Sequence, residues 1–200
     1  MTTKNLLSIQ EEIKASNLVK ESLSNDKVQI SKILLLAENC ISCLKSGGKI
    51  IFCGNGGSFA DAQHLSAEFT SRFLFDRSPL ASIVLGANSS AISAIGNDYG
   101  FDQVFSRELK AIASEKDILI AISTSGNSEN VLSAINTAIE LKIKSFILTG
   151  RDGGMLKSKI DNELINSINV PSNDTARIQE CHILIGHIIC GIAESNIFKG

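Results

Sequence analysis

Only two prolines, Pro79 and Pro171, interrupt the 200 residues, and no long stretch rich in glycine and serine divides them. That argues against a stiff proline spacer or a flexible linker between modules. No internal repeat or low-complexity segment is present either. The charges nearly cancel: 19 Lys and Arg against 21 Asp and Glu leave −2. Nothing electrostatic therefore favours nucleic acid as the main partner. Residues 1–20 mix Lys and Glu with apolar positions and lack the uninterrupted apolar core of a signal peptide. The longest apolar runs, such as Ile118–Ile122, have strand length and are too short to cross a bilayer. The expectation is a cytoplasmic protein with neither a nucleic-acid nor a membrane partner. Cysteine occurs five times, an odd number that points to reduced thiols. Cys40 and Cys43 form a C-x-x-C, but within a helical stretch, so two half-buried thiols are expected rather than a redox or zinc pair.

What is present is enough for one domain with a sizeable core, residues 1–200, 44% of them hydrophobic. Two helices are expected first, over 3–22 and 27–47, broken near Ser24-Asn25-Asp26. In the second, Ile30, Ile33, Leu34, Ala37, Ile41 and Leu44 recur at helical spacing, and Gly47-Gly48 end it. Strands and helices then alternate. Strands are expected at 50–53, 81–85, 118–122, 145–149 and 164–170. Helical segments are expected at 58–72, 89–95, 102–114, 128–141, 155–159 and 175–196. The strands 50–53 and 118–122 are almost wholly apolar, as strands covered on both faces are. Repeated β–α units with buried strands imply a parallel α/β sheet with right-handed crossovers. The two leading helices have apolar stripes in need of partners, and pairing with a second copy of the chain is one solution.

In open parallel sheets, ligands bind at the carboxyl ends of the strands. Three loops fall there. Gly54-Asn55-Gly56-Gly57-Ser58 joins a strand to a helix, and backbone N–H groups at such a junction suit an anion. It is neither a dinucleotide fingerprint nor a P-loop. Ser123-Thr124-Ser125-Gly126-Asn127-Ser128 also lies between strand and helix. Its four hydroxyls suit a phosphate dianion, and helix capping explains only one of them. Leu148 to Gly154 is as readily a plain turn as a ligand contact. Asn97-Asp98-Tyr99-Gly100 is a turn signal first.

Titratable candidates are few. His64 and Glu68 lie four apart and share one helix face. They suit a general base with its partner, or two metal ligands. On the last helix, Arg177, Gln179, Glu180, His182 and His187 interrupt an apolar run, and their polar groups must be paired if buried. His182 and His187, five apart, point in different directions, so at most one faces the same ligand as Gln179.

These residues together resemble the sugar-isomerase (SIS) domain family, and within it the phosphoheptose isomerases. The matching pieces are Cys53 to Ser58, Asp61-Ala62-Gln63-His64, Glu68, Ala94 to Gly100, Ile122 to Ser128, Leu148-Thr149-Gly150, and Ala176 to Glu180 with His187. They span essentially the whole chain, leading helices included. The resemblance implies a flavodoxin-like three-layer α/β/α sandwich with a five-stranded parallel sheet, preceded by two helices. It implies conversion of D-sedoheptulose 7-phosphate to D-glycero-D-manno-heptose 7-phosphate through an enediol, toward the nucleotide-activated heptoses of lipopolysaccharide and other glycans.

By the same likeness Glu68 is the base and His187 the acid. His64, Glu68, Gln179 and His187 surround one zinc per subunit. Ser123, Thr124, Ser125 and Ser128 hold the phosphate. Asn55, Gly56, Gly57, Ser58, Asn97, Asp98, Thr175 and Gln179, with Glu68, contact the substrate. The likeness also implies a homotetramer, with helices 3–47 in the subunit contacts and sites built from more than one subunit. Burial would raise the basicity of Glu68 and zinc would lower it, so its two roles pull against each other. Phe59 and the apolar segment 73–79 depart from the family pattern. A non-catalytic relative that binds a replication initiator should lack Glu68 or His187, whereas both are here. An isomerase of another sugar phosphate would share the hydroxyl loop.

Overall fold

The computed structural model describes residues 3–199; Met1, Thr2 and Gly200, which the expected span of 1–200 includes, lie outside them. Two helices lead, α1 (Thr3–Asn25) and α2 (Lys27–Lys45). The break between them is set by Asp26, whose carboxylate accepts the N–H groups of Val28 and Gln29 and so caps α2. There follow β1 (Ile50–Gly54), α3 (Gly57–Thr70), β2 (Ser82–Val84), α4 (Ser89–Tyr99), α5 (Val104–Ile112) and β3 (Ile118–Ile122). The chain closes with α6 (Glu129–Glu140), β4 (Lys144–Gly150), β5 (Ile165–Val170) and α7 (Thr175–Phe198). Two 3₁₀ turns, Phe101–Gln103 and Gly154–Lys159, lie where the sequence suggested helix.

All five strands are parallel, in the order β2-β1-β3-β4-β5. Side chains alternate across the sheet, as the two-residue period of a strand requires. Ile50 and Phe52, Ile118, Ile120 and Ile122, Phe146 and Leu148 join α2, α3 and α7 in one core. Ile51 and Cys53, Leu119 and Ala121, and Ile147 join α5 and α6 in the other. This is the expected α/β/α sandwich. The strand order reverses between β1 and β3, and that is where open sheets of this topology leave a crevice for ligand. Gly54 pairs with Ile122 in register, so the chain leaves the two strands side by side.

Several expectations need correction. Asn97-Asp98-Tyr99 is the last turn of α4 rather than a loop. The helix stops only at Gly100, whose φ of 93° takes the chain where other residues go reluctantly. Cys40 and Cys43 are buried outright, and burial raises both thiols, Cys43 to about 11. The apolar stripe of α2 divides. Ile33 and Ala37 are buried, whereas Ile30 and Leu34 face outward beside the exposed Val28 and Leu35. Taken as a whole, α7 has the length and apolar composition of a membrane span. Here it is a core helix, burying Ile178, Cys181, Ile185, Ile189, Cys190 and Ala193.

Candidate active site

Two helices carry the titratable residues. On α3, His64 and Glu68 face outward one turn apart, with His64 Nε2 3.3 Å from Glu68 Oε1. Against them lies α7, whose His187 Nε2 is 3.0 Å from His64 Nε2, with the two rings nearly perpendicular. The helices run side by side in the same direction. Gly57 meets Gln179 at one end, and Leu65 meets Gly186 near the histidines. Close approach is why both glycines are there. A Cβ at Gly57 would lie 2.5 Å from Gln179 Nε2, and one at Gly186 would lie 2.3 Å from the Leu65 side chain. Glu68 is not enclosed. Its side chain is 20% exposed and that of His64 50%, so the pair lines an open groove.

Asp61, one turn before His64, adds a carboxylate to this groove. Its Oδ2 is buried with no hydrogen-bond partner among the described residues. Burial raises its pKa, while the nearby His64 and His187 rings pull it back down. The signal for it was present in Asp61-Ala62-Gln63-His64, where i and i+3 share a helix face. His182 takes no part. It is fully buried, its Nε2 is 3.1 Å from the Thr149 carbonyl oxygen, and its Nδ1 has no partner among the described residues. Burial lowers its pKa to about 4, with the Thr149 hydrogen bond acting in the opposite sense. A neutral ring that donates from Nε2 satisfies that geometry, and of the two histidines on α7 only His187 reaches the groove.

The second half of the site is made of loops. After β3, the Ser123 and Ser128 hydroxyls lie 3.1 Å apart, and Ser125 Oγ accepts the Asn127 N–H. Ser128 occupies the N-cap position of α6, yet its side chain makes no capping bond among the described residues, so its hydroxyl is not spent on the helix end. The first N–H groups of α6 are left facing the loop, a ready place for an anion. The loop after β4 acts as its support. Leu156 N–H donates to Gly126 O and Met155 N–H to Asn127 Oδ1. Gly126 sits at φ 66°, and a Cβ there would run into Gly153 O at 2.0 Å, so only glycine closes this contact.

After β1, Asn55 O accepts from Ser58 and Phe59 N–H. Its side chain pairs reciprocally with Asn130 on α6, at 2.8 and 2.9 Å. Both ends of the Asn55 amide are thus occupied in tying the glycine loop to the hydroxyl loop. Gly56 and Gly57 present backbone N–H groups, Gly56 with no capping side chain, and Ser58 is buried behind them.

The remaining expected contacts stand apart. Asn97 and Asp98 are exposed at the end of α4 and bond to each other. Thr175 opens α7 and accepts from Arg151 Nη2 at 3.3 Å. No hydrogen bond among the described residues joins these three to the histidine pair. Gln179 packs on Gly57, two turns along α7 from His187.

His64, Glu68 and His187 offer two imidazole nitrogens and a carboxylate oxygen, all within 4.8 Å of one another. This donor set fits zinc in a site that keeps a position open for substrate, and the orphaned Asp61 oxygen beside it suits a cation.

Comparison with known proteins agrees with this architecture. The SIS domain family matches residues 14–150. A phosphoheptose isomerase of Clostridium acetobutylicum is 46% identical over 190 residues, 95% of each chain. Phosphoheptose isomerase 1 of Campylobacter jejuni is 52% identical over 170 residues, covering 85% of this chain and 88% of its own. The solved structure of a phosphoheptose isomerase from Francisella tularensis superposes with a TM-score of 0.90 at 39% identity, over 98% of this chain and all of its own. The chain belongs to the SIS domain family, among the phosphoheptose isomerases.

Proposed function

We propose that this chain is an aldose–ketose isomerase that converts D-sedoheptulose 7-phosphate to D-glycero-D-manno-heptose 7-phosphate. The observation that carries the reading is the meeting of His64, Glu68 and His187 in the α3–α7 groove, in a chain so similar to the phosphoheptose isomerases. The residue types suit the reaction. Glu68, as base, takes a proton from C1 of the ketose, and the C1–H electron pair becomes the C1–C2 double bond of an enediol. Return of a proton to C2 leaves the aldehyde at C1. His187 moves the hydroxyl protons between O1 and O2, which an imidazole does by donating from one nitrogen and accepting at the other. Ser123, Thr124, Ser125 and Ser128, with the first N–H groups of α6, hold the 7-phosphate. Gly56 and Gly57 contribute backbone N–H groups, and Ser58 supports their turn. Asn97, Asp98 and Thr175 reach the sugar only if substrate or another subunit bridges the distance.

His64, Glu68 and His187, with Gln179 turned toward them from its place on Gly57, would hold one zinc ion per subunit, which when bound stabilises negative charge on the substrate oxygens. Self-association is supported by apolar side chains left outside: Leu6, Ile9 and Ile13 on α1, and Val28, Ile30 and Leu34 on α2. We assign these helices to contacts between copies of the chain, as a homotetramer. Five buried thiols suit a reducing cytoplasm. The product has the chemistry of a precursor for nucleotide-activated heptose, the sugar donor of lipopolysaccharide and related glycans.

The test is direct. Purified protein supplied with zinc and sedoheptulose 7-phosphate is followed by NMR for the anomeric signal of an aldose 7-phosphate. Its appearance is expected. Folded protein that leaves the ketose unchanged contradicts the assignment.

A further inference from the structure

One buried ion pair is not used by the chemistry above. Arg77 and Glu194 are 117 positions apart, and their side chains are 2% and 0% exposed. Arg77 lies in the strap that leaves α3, residues 71–80, whose other side chains are mostly at the surface. Its Nε donates to Glu194 Oε1 at 2.9 Å. Its Nη2 donates to the Glu68 carbonyl oxygen at 2.7 Å, and Nη1 to those of Phe69 and Ser71 at 2.7 and 3.0 Å and of Ser78 at 3.1 Å. Three of these are carbonyls at the C-terminal end of α3, which no residue within the helix can satisfy. Glu194 on α7 accepts in return the N–H groups of Phe73 and Leu74, at 2.9 and 2.7 Å. Held so, Phe73 lays its ring on His187, with centroids 5.6 Å apart and planes 19° from parallel.

The pair therefore grips the backbone of the base Glu68 from one side, and fixes the ring stacked on the acid His187 from the other. We propose that Arg77 and Glu194 are positioning residues, which set Glu68 and His187 relative to each other through the strap. This rests on the reading of Glu68 and His187 as the working residues. A guanidinium suits the task, since its planar fork reaches several acceptors at once, whereas an ammonium is a point charge. Burial of a charged pair is not in itself a strong source of stability. Its contacts at Glu68 and Phe73 supply a reason for it to lie where it does. Misplacement of reacting groups by about 1 Å is enough to cost up to about 100-fold in rate.

The chain's three histidines, His64, His182 and His187, allow the claim to be read without turnover. In Arg77→Lys the charge facing Glu194 remains, but the grip on the α3 carbonyls is reduced. The ring signals of His64 and His187 in long-range ¹H–¹⁵N spectra are expected to move, while that of His182 stays. With sedoheptulose 7-phosphate, kcat is expected to fall about 10- to 100-fold and KM to stay within about threefold. Wild-type ring signals and kcat in the folded variant would overturn the proposal. So would equal movement of all three histidines, the mark of general loosening. If Arg77→Lys does not fold, Glu194→Gln is read in the same way. Absence of turnover in the wild type would refute the reaction instead, and the histidine signals would still decide the positioning claim.

Discussion

The groove between α3 and α7 and the loops at the β1–β3 crevice are built by opposite means. In the groove, the proposed base and acid are side chains held by two long helices, and Glu68 and His187 are 119 positions apart in sequence. In the crevice, the proposed phosphate site is made of backbone N–H groups and hydroxyls of two short contiguous loops, cross-linked by Asn55 and Asn130. A phosphate dianion needs many fixed donors and no proton transfer, which loops at helix N-termini supply. Proton transfer from carbon needs a base and an acid at a set distance, which packed helices supply better than loops. The division implies that damage to the groove lowers kcat, whereas damage to the crevice raises KM.

The largest expected effect comes from Glu68→Gln. The amide cannot take a carbon-bound proton, so kcat should fall by about 10³-fold or more, with binding of sedoheptulose 7-phosphate nearly unchanged. Stopped progress curves and calorimetric titration would measure the two separately. Removal of metal should come next. Dialysis against a chelator is expected to lower activity at least about tenfold, restored by zinc; full activity in protein shown by elemental analysis to be metal-free would remove zinc from the groove.

His182, buried against the Thr149 carbonyl of β4, sets an acid limit on the framework. Its folded pKa of about 4 is below the ordinary value of 6.5. Between those values the unfolded chain binds a proton that the folded chain does not. Stability is therefore complete above pH 6.5 and falls by about 3 kcal/mol as pH drops to 4. Urea unfolding across that range checks this, and His182→Gln, which can still donate to Thr149 O, should flatten the slope. On the crevice side, Ser128→Ala removes a hydroxyl that caps nothing and bonds only Ser123. KM is expected to rise about tenfold, the loss of one hydrogen bond to a charged group, with kcat within about twofold. A fall in kcat with unchanged KM would break the division.

How much of this was legible in the sequence follows the same line. The crevice could be read locally, because Gly54–Ser58 and Ser123–Ser128 are contiguous and sit at ends of apolar strands. The sheet could be read for the same reason, and its register then brings the two loops together. The groove could not. Helical spacing joins His64 to Glu68, but no local signal joins either to His187; only the family resemblance did. Nothing local shows that the Asn55 side chain is tied up, because its partner Asn130 is 75 positions away. Arg77, in a strap that looked merely apolar, gives no hint of Glu194. Asn97-Asp98-Tyr99 reads as a turn because those residues favour one in isolation. There the Asn88 cap starts α4, and the helix runs through these residues until the positive φ of Gly100 ends it.

The most direct measurement uses Glu68→Gln with sedoheptulose 7-phosphate in one sample, reading binding by calorimetry and aldose formation by NMR. Tight binding without product is expected, since the crevice would still hold the phosphate while the groove lacks its base. Product formed at a rate near that of the wild type would contradict the assignment of Glu68 and, with it, the division between groove and crevice.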